Sequence, residues 1–173
     1  QDDVVFDGGS FLLNKNNSIC CQLDHFKCQT KVVEESSPEK TLQALSIEES
    51  VLNACILGTK DYIKKNKIKN IFLGLSGGID SALVAYIASN AINKENINCI
   101  MMRSKYTSKI SIDDAKELAK NLGVNFIDKN LSTLINQINL NLKDDFKNLK
   151  PDITEENIQA RSRGLFLMAL ANK

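Results

Sequence analysis

Short apolar runs alternate with helical patterns over the second half of the chain. Residues 71–75 and 97–102 are short apolar runs that each begin with isoleucine, a β-branched residue, and are typical of strands that are covered on both faces. Residues 124–127 form a third short run, and the first two begin about 26 residues apart, the size of a right-handed βαβ unit. The pattern predicts an α/β fold with an open, doubly wound parallel sheet.

Helix signals lie before, between and after these runs. Ser46 and Glu49 form an S-x-x-E capping box at the start of the first amphipathic segment. Ser111 is predicted to open a later helix that Gly123 ends, and Thr154 is the predicted N-cap of the last helix. The helices are predicted over 46–66, 79–92, 111–122, 131–142 and 154–173.

The first 33 residues follow a different pattern. Short strand-like runs separated by turn sequences lie at 4–6, 11–13 and 19–20. A meander this short has no core of its own and needs a larger sheet to join. Residues 34–45 are polar, contain Pro38 and are predicted to be a linker. The chain is therefore divided into 1–33, 34–45 and 46–173.

Composition narrows the class of protein. An apolar content of 43% and a charged content of 25% are ordinary for a soluble globular protein. The formal net charge of +1 gives no reason to expect nucleic acid or an anionic membrane as a partner. No apolar window is long enough to span a bilayer, and no signal-peptide pattern opens the chain. Gln1 in place of Met suggests that the start of the protein has been removed.

The five cysteines are odd in number, and no C-x-x-C pair is present. This usage favours reduced thiols and a cytoplasmic location over a disulfide framework or a zinc site. Cys20, Cys21, Cys28 and the single His25 could be imagined as metal ligands. A mixture of core and surface residues is the more ordinary interpretation.

The sequence Ser-Gly-Gly-Ile-Asp-Ser at 76–81 follows the first apolar run and opens a helix. Gly77 and Gly78 let a ligand approach the backbone closely, and the first helical turn offers unpaired N–H groups. Such a junction is suited to a phosphate, and Asp80 could hold Mg²⁺. The alternative is an ordinary turn in which Asp80 or Ser81 caps the helix.

The full string S-G-G-x-D-S resembles the pyrophosphate loop of the ATP pyrophosphatase family, whose members split ATP between the α and β phosphates. It does not match the G-x-x-x-x-G-K-[ST] pattern of a Walker A loop. The resemblance implies an adenine nucleotide α-hydrolase-like fold and Mg²⁺ on Asp80. The ATP-binding residues that it implies are Gly74, Leu75, Ser76, Gly77, Gly78, Ile79, Asp80 and Ser81.

A second segment follows the second predicted strand at 103–108. Neighbouring strand ends of a parallel sheet share one crevice, although a solvated loop is the alternative. The segment resembles the M-P-S-[RK]-Y-[TS]-S sequence of NAD synthetases, which borders the adenosine of ATP; this implies roles for Ser104, Tyr106 and Thr107. Arg103 stands where that family usually has proline, which removes a fixed φ and adds a charge.

A third segment lies in the last predicted helix. Asn157 and Arg161 are four residues apart on one face, an arrangement suited to a carboxylate or carboxamide. The alternative is a surface helix whose arginines pair with glutamates. The segment resembles T-E-E-N-x-Q-A-R-x-R of NAD synthetases, which implies that Asn157 and Arg161 bind deamido-NAD.

Together the three segments resemble the glutamine-dependent NAD synthetases. The resemblance implies a ligase that amidates deamido-NAD to NAD through an adenylated intermediate, with ATP, Mg²⁺ and ammonia from glutamine, and a homo-oligomer. Residues 1–33 resemble the closing strands of a nitrilase-type glutaminase domain, whose catalytic residues would lie before Gln1. A T-G-N-K-S-E segment would follow Lys173, so we expect no turnover by these 173 residues alone.

Two other functions remain open from the sequence. A tRNA-thiolating member of the same superfamily is disfavoured by the neutral charge and the lack of a basic stripe. A non-catalytic adenine-nucleotide binding module predicts ATP binding without pyrophosphate release.

Overall fold

The computed structural model describes residues 4–34 and 38–173. The chain separates into two compact units, residues 1–66 and residues 67–173. The predicted boundaries at 33 and 45 stay a prediction. Among the described residues, no helix is both long and apolar enough to cross a membrane.

The first unit contains a small antiparallel sheet and one long helix. Strands β1 (Phe11–Leu13) and β2 (Ile19–Gln22) pair with each other, and helix α1 spans Ile47–Lys65. The predicted strand at 4–6 is wrong. Gly8 and Gly9 follow it, both at φ +67°, and turn the chain, so that only an isolated bridge between Gly8 and His25 forms.

The predicted linker is hydrogen-bonded to β2 over its described part. The Lys40 N–H donates to the Ile19 carbonyl at 2.7 Å. The Gln43 N–H donates to Oε1 of Gln22 at 2.8 Å, and Nε2 of Gln22 donates back to the Gln43 carbonyl at 3.0 Å. The capping box of α1 at Ser46 is confirmed.

The second unit is a three-stranded parallel sheet with helices on both faces. All strands are parallel and lie in the order β3-β4-β5, which confirms the α/β prediction. The elements in chain order are β3 (Ile71–Gly74), α2 (Ile79–Ala91), a short 3₁₀ helix (Lys94–Asn96), β4 (Ile97–Arg103), α3 (Lys109–Leu122), β5 (Asn125–Asn130), α4 (Ser132–Asn141) and α5 (Ile153–Ala171).

The central strand β4 supplies both cores because alternate side chains point to opposite faces. One core joins β4 to α2 and α3 and contains Ile97, Cys99, Met101, Ala85, Ala88, Ala115 and Ala119. The other joins β4 to α4 and α5 and contains Ile100, Met102, Leu131, Ile135, Phe166, Leu167 and Leu170. Helices α3 and α5 therefore cover opposite faces of the sheet. Burial raises the pKa of the Cys99 thiol to about 11, so the thiol stays protonated at neutral pH.

Two helices begin earlier than the sequence predicts. Helix α3 begins at Lys109, because the Ser108 hydroxyl accepts the Ser111 N–H at 3.0 Å. The helix ends, as predicted, at Gly123, which has φ +72°. The N-cap of α5 is Asp152, whose carboxylate accepts the Thr154 N–H at 2.8 Å. Hydrogen bonds from Thr154 hold the pKa of Asp152 below its usual value.

Candidate functional site

The strands β3 and β4 end at the same edge of the sheet. Gly74 is in register with Ile100, and the Leu75 N–H extends the ladder by donating to the Ile100 carbonyl at 2.9 Å. The Leu75 side chain is buried in the core. The loop that joins β3 to α2 therefore starts at Ser76, at the carboxyl edge where parallel sheets bind ligands.

Two serine hydroxyls hold this loop closed. The Ser76 N–H donates to Oγ of Ser81 at 3.2 Å, and the Ser81 hydroxyl donates to the Gly78 carbonyl at 2.9 Å. The Gly78 N–H donates to Oγ of Ser76 at 3.2 Å. The two hydroxyl oxygens lie 3.0 Å apart. The loop is thus shaped by its own side chains.

Glycine is required at Gly77 by the packing of the loop. Its φ is +83°, and a Cβ there would lie 2.4 Å from the carbonyl oxygen of Ser111 and 2.8 Å from the Ser111 Cα. At Gly78 the φ is −90° and a Cβ would meet only Oγ of Ser76, at 3.4 Å. The chain's own packing therefore does not demand glycine at Gly78, whereas close approach of a ligand would.

The start of α2 is open to solvent. Its N-cap is Gly78, which has no side chain with which to satisfy the first turn. Ile79 is 81% exposed, and Asp80 is also exposed in that turn. The alternative in which Asp80 or Ser81 caps the helix does not hold, since the N-cap lies before both. Unpaired N–H groups and the positive end of the helix dipole make this turn suited to an anion.

The loop from β4 to α3 adds the second set of predicted residues. The Ser104 N–H donates to Oγ1 of Thr107 at 2.9 Å, and the Thr107 N–H donates to the Ser104 carbonyl at 3.1 Å. Nζ of Lys105 lies 4.8 Å from the ring centroid of Tyr106. Tyr106 is 71% exposed. These contacts form a tight turn that presents the tyrosine ring at the sheet edge.

The two loops line one cavity of about 350 Å³. Its lining residues are Gly74, Leu75, Ser76, Ile100, Met101, Met102, Tyr106, Thr107, Ser108, Ser111 and Arg163. Two neighbouring cavities, of about 460 and 240 Å³, share Ser104 and Tyr106 with residues at the start of α5. The structure therefore brings the first two predicted segments together.

Arg103, which stands where the resembled family has proline, ties β4 to β5. Its Nε donates to Oδ1 of Asp128 at 2.6 Å, and its carbonyl accepts the Leu131 N–H at 2.8 Å. Both side chains of the ion pair are more than a third exposed, so solvent screening makes its contribution to stability small. The arginine therefore replaces a fixed φ with a cross-strand contact.

Helix α5 presents a different face to these cavities from the one that the sequence indicates. Asn157 and Arg161 are both exposed and are not among the residues that line the three cavities. Glu155, Gln159 and Arg163, which are four residues apart along the helix, line them instead. Sequence reasoning missed this row. Its signal was the same i, i+4 spacing that singled out Asn157 and Arg161.

The donor set for Mg²⁺ is small. Among the described residues, no group of three or more His, Cys, Asp or Glu side chains could hold a metal ion. Mg²⁺ in phosphate sites is usually held by one or two carboxylates together with the phosphates of the substrate. The exposed carboxylate of Asp80, beside the open turn of α2, fits that arrangement.

Comparison with known proteins places the chain among NAD synthases. The family model described as NAD synthase matches residues 51–173. The glutamine-dependent NAD(+) synthetase of Acinetobacter baylyi is 37% identical over 179 residues, covering all of this chain and 33% of the relative. The enzyme of the same description from a Synechocystis strain is 41% identical over 180 residues, covering all of this chain and 32% of that relative.

A solved structure agrees with these relatives. The glutamine-dependent NAD+ synthetase of Acinetobacter baumannii, determined in complex with ADP, is 38% identical, with a TM-score of 0.89 over 99% of this chain and 34% of its own. The chain thus spans about a third of the length of the curated relatives it matches. By the family match over more than half of its residues, the chain belongs to the NAD synthase family.

Proposed function

We propose that this chain supplies the ATP-binding part of an enzyme that converts deamido-NAD to NAD, with ammonia derived from glutamine. The observation that carries the proposal is the closed loop at 76–81. Its glycines and the open first turn of α2 follow the carboxyl end of β3. Ser76, the first residue of this loop, lines a cavity of about 350 Å³. The relative from Acinetobacter baumannii, solved with bound ADP, supports a nucleotide at this site.

The proposed reaction has two steps. A carboxylate oxygen of the nicotinate group attacks the α-phosphorus of ATP, the bond to the bridging oxygen breaks, and pyrophosphate leaves. The nitrogen of ammonia then attacks the acyl carbon, AMP leaves with the bonding electrons, and a proton is lost to give the amide. The backbone N–H groups of Gly77 and of the first turn of α2 at 79–81 would stabilise the charge that develops on pyrophosphate. Holding the carboxylate against the α-phosphorus is a task of positioning.

We assign the roles as follows. The nucleotide is bound by the residues of the two loops, namely Gly74, Leu75, Ser76, Gly77, Gly78, Ile79, Asp80, Ser81, Ser104, Tyr106 and Thr107. Asp80 would hold Mg²⁺, which when bound neutralises phosphate charge. Asn157 and Arg161 would bind a part of deamido-NAD that lies outside the three cavities. Assembly as a homo-oligomer stays a prediction.

Pyrophosphate release tests the proposal. We would place this chain in the aligned segment of the Acinetobacter baylyi relative and measure pyrophosphate with and without deamido-NAD. Release is expected only when deamido-NAD is present. Asn157→Ala is expected to lower kcat/KM for deamido-NAD about tenfold, the effect of losing one substrate hydrogen bond, while Asn121→Ala on the exposed surface of α3 leaves it unchanged.

Other outcomes would point elsewhere. ATP binding without pyrophosphate release would favour a non-catalytic nucleotide-binding module. Release that depends on tRNA and not on deamido-NAD would favour a tRNA-modifying enzyme. Either result would overturn the proposed reaction.

A further inference from the structure

The position of Arg163 follows from the packing of α5 on β3. A Cβ at Gly74 would lie 3.6 Å from Cδ1 of Leu167 and 3.3 Å from Cε of Met102. Leu167 packs in the core on the α5 face of the sheet. Arg163 lies one helical turn before Leu167, and helical side chains point towards the N-terminus. The packing of Leu167 at the end of β3 therefore holds Arg163 at the carboxyl edge.

Arg163 reaches the cavity from the face of the sheet that α2 and α3 do not cover. Ser111 in α3 and Ser108 at its N-cap line the cavity, and the loop residue Ser76 lines it from the end of β3. Because α3 and α5 cover opposite faces, a ligand in the cavity lies between the two helices. Arg163 is half-buried there.

The positive charge of Arg163 has no partner among the residues that the structure describes. Its guanidinium makes no hydrogen bond or ion pair with any residue that the structure describes. It is also the only charged side chain among the described residues that line the 350 Å³ cavity. Partial burial of a cation without a partner costs free energy, which an anionic ligand would offset.

The surroundings favour a phosphate in this cavity over the neighbouring one. The cavity of about 460 Å³, which Arg163 also lines, carries the carboxylates of Asp152, Glu155 and Glu156, and these repel an anion. The 350 Å³ cavity is lined by hydroxyl groups, including that of Ser76 at the start of the β3–α2 loop, and carries no carboxylate. A planar guanidinium is well matched to phosphate oxygens, which it can bind with two N–H groups.

We propose that Arg163 binds the phosphate chain of ATP and sets its orientation, from the side of the cavity that faces α5. The inference rests on the proposed function, because it takes the ligand of the cavity to be ATP. The loop at 76–81 supplies uncharged hydrogen-bond donors, and Arg163 adds a positive charge. Adenosine has no phosphate and therefore gains nothing from this charge. The contribution of Arg163 should therefore depend on the number of phosphates.

Calorimetric titration of the 173-residue chain tests the proposal with ATP, AMP and adenosine as probes. Arg163→Gln is expected to weaken ATP binding about 10- to 100-fold, or about 1.4–2.8 kcal/mol, close to the range for a hydrogen bond to a charged group. AMP should lose less affinity, and adenosine should be unchanged. Arg163→Lys should recover part of the ATP affinity, because lysine keeps the positive charge. Recovery should be incomplete, because lysine lacks the planar guanidinium group that binds two phosphate oxygens at once. Lys116→Gln on the exposed surface of α3 controls for the loss of one charge and should bind ATP like wild type.

Each contrary result has its own meaning. If wild type binds ATP and Arg163→Gln binds it equally well, the inference about Arg163 is wrong and the proposed function stands. If the variant loses adenosine and ATP affinity to the same extent, Arg163 has a structural role only and the inference is again wrong. If wild type binds ATP no better than adenosine, the proposed function fails as well.

Discussion

Gly77→Ala is expected to weaken ATP binding by a factor of about 100 or more and to destabilise the unit of residues 67–173 by about 2 kcal/mol or more. The residue has φ +83°, and the added Cβ would lie 2.4 Å from the Ser111 carbonyl oxygen. The loop must therefore move away from α3, and the hydrogen bonds between Ser76 and Ser81 cannot all survive. Urea denaturation and ATP titration of the variant measure the two effects.

Two other glycines separate the causes of this effect. Gly78→Ala should change the free energy of unfolding by no more than about 0.5 kcal/mol, because the added Cβ meets only Oγ of Ser76. The same change should weaken ATP binding, because the nucleotide is expected to lie against the backbone at this residue. Gly164→Ala, in the interior of α5 with nothing within 4 Å, should stabilise the protein by about 0.5–1 kcal/mol and leave ATP affinity unchanged. A Gly77→Ala variant as stable as wild type would contradict the described loop conformation.

The second large effect is expected at Asp80. We predict that Asp80→Asn removes the gain in ATP affinity that Mg²⁺ provides over EDTA, because the exposed carboxylate is the proposed protein ligand. In the hybrid with the Acinetobacter baylyi relative, the same change should lower kcat for pyrophosphate release about 10²- to 10³-fold, the range seen when one group that stabilises transition-state charge is removed.

Asp114→Asn is the matched control for Asp80→Asn. This residue is exposed on α3, outside the two loops, and its substitution changes the net charge by the same amount. It should leave both measurements unchanged. If Asp80→Asn retains the full effect of Mg²⁺ on ATP affinity, the metal assignment to Asp80 is wrong.

The strands and the phosphate-loop junction could be predicted from the sequence because their signals are local. The apolar run at 71–75 is typical of a strand covered on both faces, and β3 forms there at Ile71–Gly74. The glycines that follow end the strand, whatever the rest of the fold. The first residues of two helices were predicted less accurately. Ser108 and Asp152 each precede another residue able to cap, and only the folded backbone decides which of them does so.

The orientation of α5 could not be predicted from the sequence. The spacing of Asn157 and Arg161 is the same as that of Gln159 and Arg163. The local sequence pattern therefore cannot distinguish which pair lies at the site. The packing of Leu167 in the core, near the end of β3 at Gly74, decides which pair faces the sheet edge. That packing joins residues far apart in sequence, so no periodicity within the helix predicts it.

The most direct test of phosphate binding by the β3–α2 loop is a titration followed by backbone amide chemical shifts. On addition of ATP, and of inorganic pyrophosphate alone, the amide resonances of residues 76–81 are predicted to shift more than those of α4 or of β1 and β2 in the first unit. Adenosine should leave the same resonances near their starting positions. Amide resonances at 76–81 that stay in place at saturating ATP would contradict the central claim.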